Sequence, residues 1–142
     1  MTNTNREWRL AARPDGEPDM DCFELHETDV PSTDPGQLLV RTRYLSVDPY
    51  MRGRMRDAES YAEPWDVGDT LKGGLVGEVV ESASDAYDPG DLVTGEGTWS
   101  DYATLDADAV APVDPAVANP EAYLGVLGMP GRTAYFGLLE VG

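Results

Sequence analysis

The stretch Gln37-Leu38-Leu39-Val40-Arg41-Thr42-Arg43-Tyr44-Leu45-Ser46 and the later run Leu75-Val76-Gly77-Glu78-Val79-Val80-Glu81 decide the fold class. Both are short, rich in apolar and β-branched residues and bounded by turn formers, so they read as strands, and both look central to a sheet. Gly77 interrupts the second, which marks a bulge or a close backbone approach. Upstream, Trp8-Arg9-Leu10-Ala11-Ala12 and Phe23-Glu24-Leu25-His26-Glu27 read as two half-buried strands. The turn-rich Arg13-Pro14-Asp15-Gly16-Glu17-Pro18 between them is hairpin chemistry. Downstream, Pro89-Gly90-Asp91 turns into Asp91-Leu92-Val93-Thr94, and Trp99-Ser100-Asp101-Tyr102-Ala103-Thr104-Leu105 completes the set. Strands at this spacing predict a small, mainly β domain, a bent or partly closed barrel.

The pattern changes near residue 118. Asn119-Pro120-Glu121 has the form of a helix start, with Asn as cap and Pro in the first turn, and the apolar run to Leu127 continues it. Gly128-Met129-Pro130-Gly131 breaks that helix, and Pro130 opens a second one through Glu140. An apolar helix placed last is an unfinished surface, expected to dimerise or self-associate when nothing else covers it. The chain shows no repeat, no run of eighteen apolar residues and no basic, apolar leader at Met1, so a cytoplasmic protein is expected.

The inventory for chemistry is short. One cysteine, Cys22, and one histidine, His26, exclude an internal disulfide and leave too few soft ligands for a Cys/His zinc site. No Gly-x-Ser-x-Gly, His-Glu-x-x-His or Ser/His/Asp set is present, which excludes the common hydrolase readings. Gly73, Gly74 and Gly77 precede or sit in a strand instead of opening a helix, so they form no dinucleotide fingerprint. The loop Ser46-Val47-Asp48-Pro49-Tyr50-Met51-Arg52-Gly53-Arg54-Met55 leaves a strand end, where functional loops are commonly mounted. There Tyr50 offers a hydroxyl on an apolar body and Met51 an adaptable wall, although both also suit plain core packing. Five of the nine arginines, Arg41, Arg43, Arg52, Arg54 and Arg56, fall within sixteen residues. This island is either an anion site or a set of ion pairs with neighbouring acids.

Taken together, the 46–55 block, Gly73-Gly74-Leu75-Val76-Gly77-Glu78-Val79, Gly90-Asp91-Leu92-Val93 and the block from Tyr123 to Leu138 resemble the prostaglandin/alkenal reductase branch of the medium-chain dehydrogenase/reductase family. Asp48-Pro49-Tyr50-Met51-Arg52-Gly53 and Gly128-Met129-Pro130-Gly131-Arg132-Thr133-Ala134-Tyr135 separate this branch from the zinc alcohol dehydrogenases. Those relatives carry a zinc-binding cysteine near Val47 and a Gly-His-Glu near Gly73-Gly74, both missing here. The resemblance implies a GroES-like catalytic domain over 1–118 and a helical segment, 119–142, leading toward a Rossmann domain. It implies that Met129 and Thr133 approach the nicotinamide of NADP, with Tyr50 and Met51 on the substrate side and no metal. The implied reaction is hydride transfer to the carbon-carbon double bond of a small unsaturated carbonyl compound, an enone or enal. The family's pyrophosphate-binding turn has no counterpart in these residues, so a truncated chain, inactive by itself, is the expectation. The alternative is a stand-alone GroES-like module that binds or oligomerises without catalysis.

Charge is the loudest compositional signal: 27 acids against 10 bases give −17, and only one base, Lys72, is a lysine. Such a field repels nucleic acid and anionic membranes. A disordered acidic tail is disfavoured by 41% hydrophobic content and by three Trp and seven Tyr along the chain. The acids are spread one or two at a time, as on a protein adapted to a high-salt cytoplasm, where counter-ions screen repulsion over about 3 Å at 1 M. The melting temperature should therefore rise from dilute buffer to molar KCl; an unchanged value would refute salt adaptation.

Overall fold

The computed structural model describes residues 4–58 and 62–141. Seven strands form in chain order: β1 Thr4–Leu10, β2 Phe23–Asp29, β3 Gln37–Leu45, β4 Lys72–Ser82, β5 Leu92–Thr98, β6 Tyr102–Asp106 and β7 Ala111–Pro112. β1 and β2 make the expected antiparallel ribbon, with Trp8 opposite Leu25. The other five form one antiparallel sheet in the order β6-β3-β4-β5-β7, so β3 and β4 are interior strands as their sequences suggest. The fold is mainly β, and the sheet stays open; the barrel is not closed. Two turns that connect the sheet are Pro-Gly turns. Gly36 and Gly90 sit at φ 86° and 101°, a region that glycine reaches without strain.

The main core lies between the sheet strands, where Leu38, Val40, Leu75, Val79, Val93, Ala103 and Leu105 are all buried. Within it Gly77 has the predicted role. A methyl group there would sit 2.4 Å from Val40 Cγ1 and 2.7 Å from the Arg41 carbonyl, so the missing side chain is what lets β3 lie against β4. The register slips beside it: Thr42 faces Gly77 while Tyr44 faces Val76, which leaves Arg43 as the extra residue of a bulge. A second core, of Leu10, Cys22, Met51, Met55, Trp65 and Leu71, packs the ribbon against α1, Tyr50–Arg54.

β1 also ties the ribbon to the main sheet. The Trp8 amide donates to the Trp99 carbonyl (2.9 Å), Leu71 N–H donates to the Trp8 carbonyl (2.9 Å), and the buried Asn5 side chain accepts from Tyr102 N–H (2.9 Å). At the rim the Arg6 guanidinium grips Asp101 through Nε to Oδ2 at 2.7 Å and Nη2 to Oδ1 at 3.1 Å. Hydrogen bonds from Arg6, reinforced by its charge, hold the Asp101 carboxyl below its usual range against a smaller opposing effect of burial.

The C-terminal segment departs from expectation. Residues 120–127 do not form an α-helix: a 3-10 turn, Pro120–Leu124, is followed by Gly125 at ψ −107°, outside helical space, and Asn119 makes no side-chain cap. Its glycines interrupt the hydrogen-bond ladder before a second turn can form. The second helix, α2, runs Met129–Phe136, starting one residue before Pro130, and widens into a π-type turn over Gly137–Val141. No helix among the described residues is long and apolar enough to cross a membrane.

Gly77→Ala should destabilise the fold by about 2 kcal/mol, because the new methyl meets backbone as well as a side chain; a thermal midpoint within error of the parent would contradict this packing. The Asp101 carboxyl titrates lower in the folded chain than in the unfolded one, so the contribution of its contact is present above the ordinary carboxylate value. That contribution is lost as pH falls through the depressed value. Acid titration followed by tryptophan fluorescence should show the ribbon loosening in that window, and Asp101→Asn should abolish the step.

Candidate active site

A cleft of about 770 Å³ opens where residues 46–50, leaving β3, meet the start of β4, the middle of β5, residues 108–112 and the segment 123–132. The near wall is built by local hydrogen bonding. Ser46 N–H donates to the Gly74 carbonyl at 2.8 Å, which lays the exit of β3 along β4. Ser46 Oγ donates to Asp48 Oδ2 at 2.7 Å, and the Asp48 amide donates to Met51 Sδ at 3.4 Å. Met51 N–H to the Asp48 carbonyl (3.1 Å) and Arg52 N–H to the Pro49 carbonyl (3.2 Å) begin α1. Ser46, Asp48 and Tyr50 line the cleft, whereas Val47 between them is exposed. Alternation about Val47 is the signal in the sequence that finds Ser46 and Asp48, whereas Tyr50 reaches the lining from the first residue of α1.

Met51 does not line the cleft. It is 6% exposed and sits in the second core, its Cε over Gly73, where a methyl group would lie 2.4 Å away. Tyr50, one helical step of about 100° away, is only partly buried: it packs against the edge of that core and also lines the cleft.

The far wall comes from the segment after residue 119. Tyr123 anchors it: its hydroxyl accepts from Asp114 N–H (3.1 Å) and donates to the Asp114 carbonyl (3.2 Å). Leu124 comes within 3.3 Å of where a side chain on Gly74 would begin. The chain then folds tightly on itself, with Gly131 N–H donating to the Gly125 carbonyl at 3.1 Å. A methyl group on Gly131 would sit 1.8 Å from the Val126 oxygen. This compact turn sets Met129, 56% exposed, on the cleft wall. Tyr50 and Met129 therefore share one cleft, while Thr133 lies on α2, exposed and outside the lining.

Four of the five arginines of the island, all but Arg56, are turned to internal use. Arg41 (3.0 Å) and Arg43 both pair with Glu78, and their hydrogen bonds, Arg43's first, hold its carboxyl below the usual range. Arg52 donates through Nε to the Gly16 carbonyl at 3.1 Å. Arg54 stacks 4.8 Å over the Trp65 ring and approaches Glu96 at 3.7 Å. The cation on the cleft wall is Arg132, which makes no ion pair among the described residues; the acids there are Asp48, Glu96 and Asp108. His26 stands on β2 with Nε2 3.0 Å from Glu24 and is not part of the lining. Among the described residues no three His, Cys, Asp or Glu side chains gather in a metal-binding arrangement.

Comparison with known proteins agrees with this architecture. A family profile described as the N-terminal domain of oxidoreductase matches residues 6–113. The NADPH-dependent curcumin reductase of Escherichia coli (strain K12) is 50% identical over 138 residues, covering 97% of this chain and 40% of that protein. Prostaglandin reductase 1 of Oryctolagus cuniculus is 36% identical over 140 residues, covering 96% of this chain and 38% of the relative. The crystal structure of CurA from Vibrio vulnificus in complex with NADPH superimposes with a TM-score of 0.88 at 42% identity, over 95% of this chain and 40% of that one. The chain thus spans about 40% of the length of these relatives. It belongs to the medium-chain dehydrogenase/reductase family of oxidoreductases, as an N-terminal part of the prostaglandin and alkenal reductase branch.

Proposed function

We propose that residues 1–118 are the GroES-like catalytic part of a zinc-free, NADP-dependent cytoplasmic enzyme that reduces the carbon-carbon double bond of small enones and enals, and that 119–142 lead toward its nucleotide-binding domain. The observation that carries this reading is the sharing of one cleft by Tyr50 and Met129, which come from segments far apart in sequence. Nicotinamide relatives support the cofactor class, among them the curcumin reductase and the CurA complex. Val47 and Gly73-Gly74 stand where zinc-dependent relatives carry ligands, which supports zinc-independence.

The residues present fit the nicotinamide end of the cofactor. Met129 and Pro130 give an apolar wall, and Gly131 keeps that turn compact. Thr133, on the same helix, would reach the cofactor from outside the described lining. When bound, the dihydronicotinamide supplies a hydride to the β-carbon of the substrate. The chain's own residues do the rest on this side of the cleft. Tyr50, on the cleft wall, would offer its hydroxyl to the carbonyl oxygen of a bound substrate, where negative charge develops, a contact worth on the order of 3 kcal/mol. Leu124 and Met129 exclude water from a flat substrate, and Met51 holds α1, and with it Tyr50, against the second core.

A second reading, a GroES-like module that associates through α2 without catalysis, draws on the exposure of Tyr135, Phe136, Leu138 and Leu139. One experiment separates the two. Residues 1–142 are substituted for the matching segment of the Escherichia coli curcumin reductase, and NADPH consumption is followed with several enones. The chimera should turn over, and Tyr50→Phe should lower kcat about a hundredfold. A chimera that folds and binds NADPH yet reduces no enone or quinone, while residues 1–142 alone form a discrete dimer, would replace the reductase reading with the module.

A further inference from the structure

The hydroxyl of Ser46 is held in a way that the proposed reaction does not by itself require. An ionised carboxylate can only accept hydrogen bonds, so the 2.7 Å contact between Ser46 Oγ and Asp48 Oδ2 commits the serine proton to Asp48. Both partners are fixed. The Ser46 amide is bonded to the Gly74 carbonyl at 2.8 Å, and the Asp48 amide to Met51 Sδ at 3.4 Å. The backbone that carries the pair is thereby tied to β4 on one side and to the second core on the other. Both residues are half-buried and both line the cleft. With its one proton committed, Ser46 Oγ has only lone pairs left to offer. Asp48 Oδ1, on the same wall, is likewise an acceptor.

From this geometry we infer that Ser46, oriented by Asp48, is a fixed hydrogen-bond acceptor in the cleft that selects ligands carrying a neutral hydroxyl or amide donor. A ligand that presents an ether or carbonyl oxygen at this point would set acceptor against acceptor and leave both unsatisfied. A carboxylate there would also face the charge of Asp48. Asp48 acts as the positioning residue, and Ser46 as the group that touches the ligand. The inference rests on the reductase reading and deepens it by naming a residue that determines specificity.

The test uses the same chimera, or the full-length enzyme, with two substrates that differ in one group: 4-hydroxybenzylideneacetone and its 4-methoxy analogue. Turnover of either compound tests the reductase reading; the ratio of their kcat/KM values tests the inference. The parent should prefer the hydroxyl compound roughly three- to tenfold, the range expected for one net hydrogen bond. Ser46→Ala should bring the ratio to about one, and Ser46→Thr, which restores a hydroxyl, should recover it. Should Ser46→Ala not fold, Asp48→Asn serves in its place: a carboxamide can donate as well as accept, which unlocks the serine proton and narrows the ratio. If the substrate ratio stays flat and only KM for NADPH rises in the variant, Ser46 meets the cofactor and its role in substrate selection is overturned. An active variant in which neither the ratio nor KM for NADPH moves overturns it.

Discussion

Close approach across β4 is the constraint on which the rest of the molecule depends. Three glycines of this strand are closely approached by neighbours, Gly77 most tightly because backbone as well as a side chain meets it. Gly73 takes the end of Met51, Gly74 lies under Ser46 and Leu124, and Gly77 takes Val40. Through Gly77 the two interior strands pack on each other; through Gly73 and Gly74 the loop leaving β3 and the turn of the C-terminal segment come down onto the same short stretch of backbone. The cleft exists because its two walls are both seated there. A strand studded with glycine is intrinsically weak, since it forgoes side-chain packing and loses more backbone freedom on folding. Here neighbours restore that packing from outside the strand, with Val40, Met51 and Leu124 occupying the vacated positions.

The same arrangement shows what was legible beforehand and what was not. The strands at 37–45 and 72–82, the ribbon and the close approach at Gly77 follow from short-range patterns, because apolar alternation and turn residues report directly on a local backbone. The strand order of the sheet does not, since it depends on long-range pairing that no single stretch encodes. The C-terminal segment misled for a related reason. Asn119-Pro120 has the composition of a helix start, yet Gly125, Gly128 and Gly131 let the chain fold back on itself, and that compaction favours a 3-10 turn over an α-helix. At the site, Tyr50 and Met129 are brought together, whereas Met51 is buried within the second core, which Tyr50 also packs against while reaching the cleft. A five-residue helix was hidden in a loop of turn formers, and its rotation is what leaves Tyr50 reaching the cleft while Met51 is buried.

The arginines illustrate a further limit on reading charge from sequence. Five of them fall close together along the chain, yet Arg41 and Arg43 converge on Glu78, Arg52 meets backbone carbonyl groups, and Arg54 lies over Trp65. Proximity in sequence did not make a positive surface, because β3 and α1 point these side chains in different directions. Arg132, which stands apart from the cluster in sequence, is the cation that reaches the cleft wall. What the local pattern could report was the alternation of Ser46 and Asp48 about Val47, which marks the polar side of the cleft.

Residues 122–139 contain one charged side chain, Arg132, and none of the chain's 27 acids. This is also where Met129, Tyr135, Phe136, Leu138 and Leu139 stand out from the surface. The hydration shell that the carboxylates organise elsewhere is therefore interrupted over a single face. Raising ionic strength quiets mutual repulsion over the acidic remainder while leaving that bare face as greasy as before, so brine tilts the balance from dispersal toward adhesion at one address. Purification of this piece would meet an unusual conflict, in which the medium that relaxes its carboxylates is also the one in which its last helix seeks company.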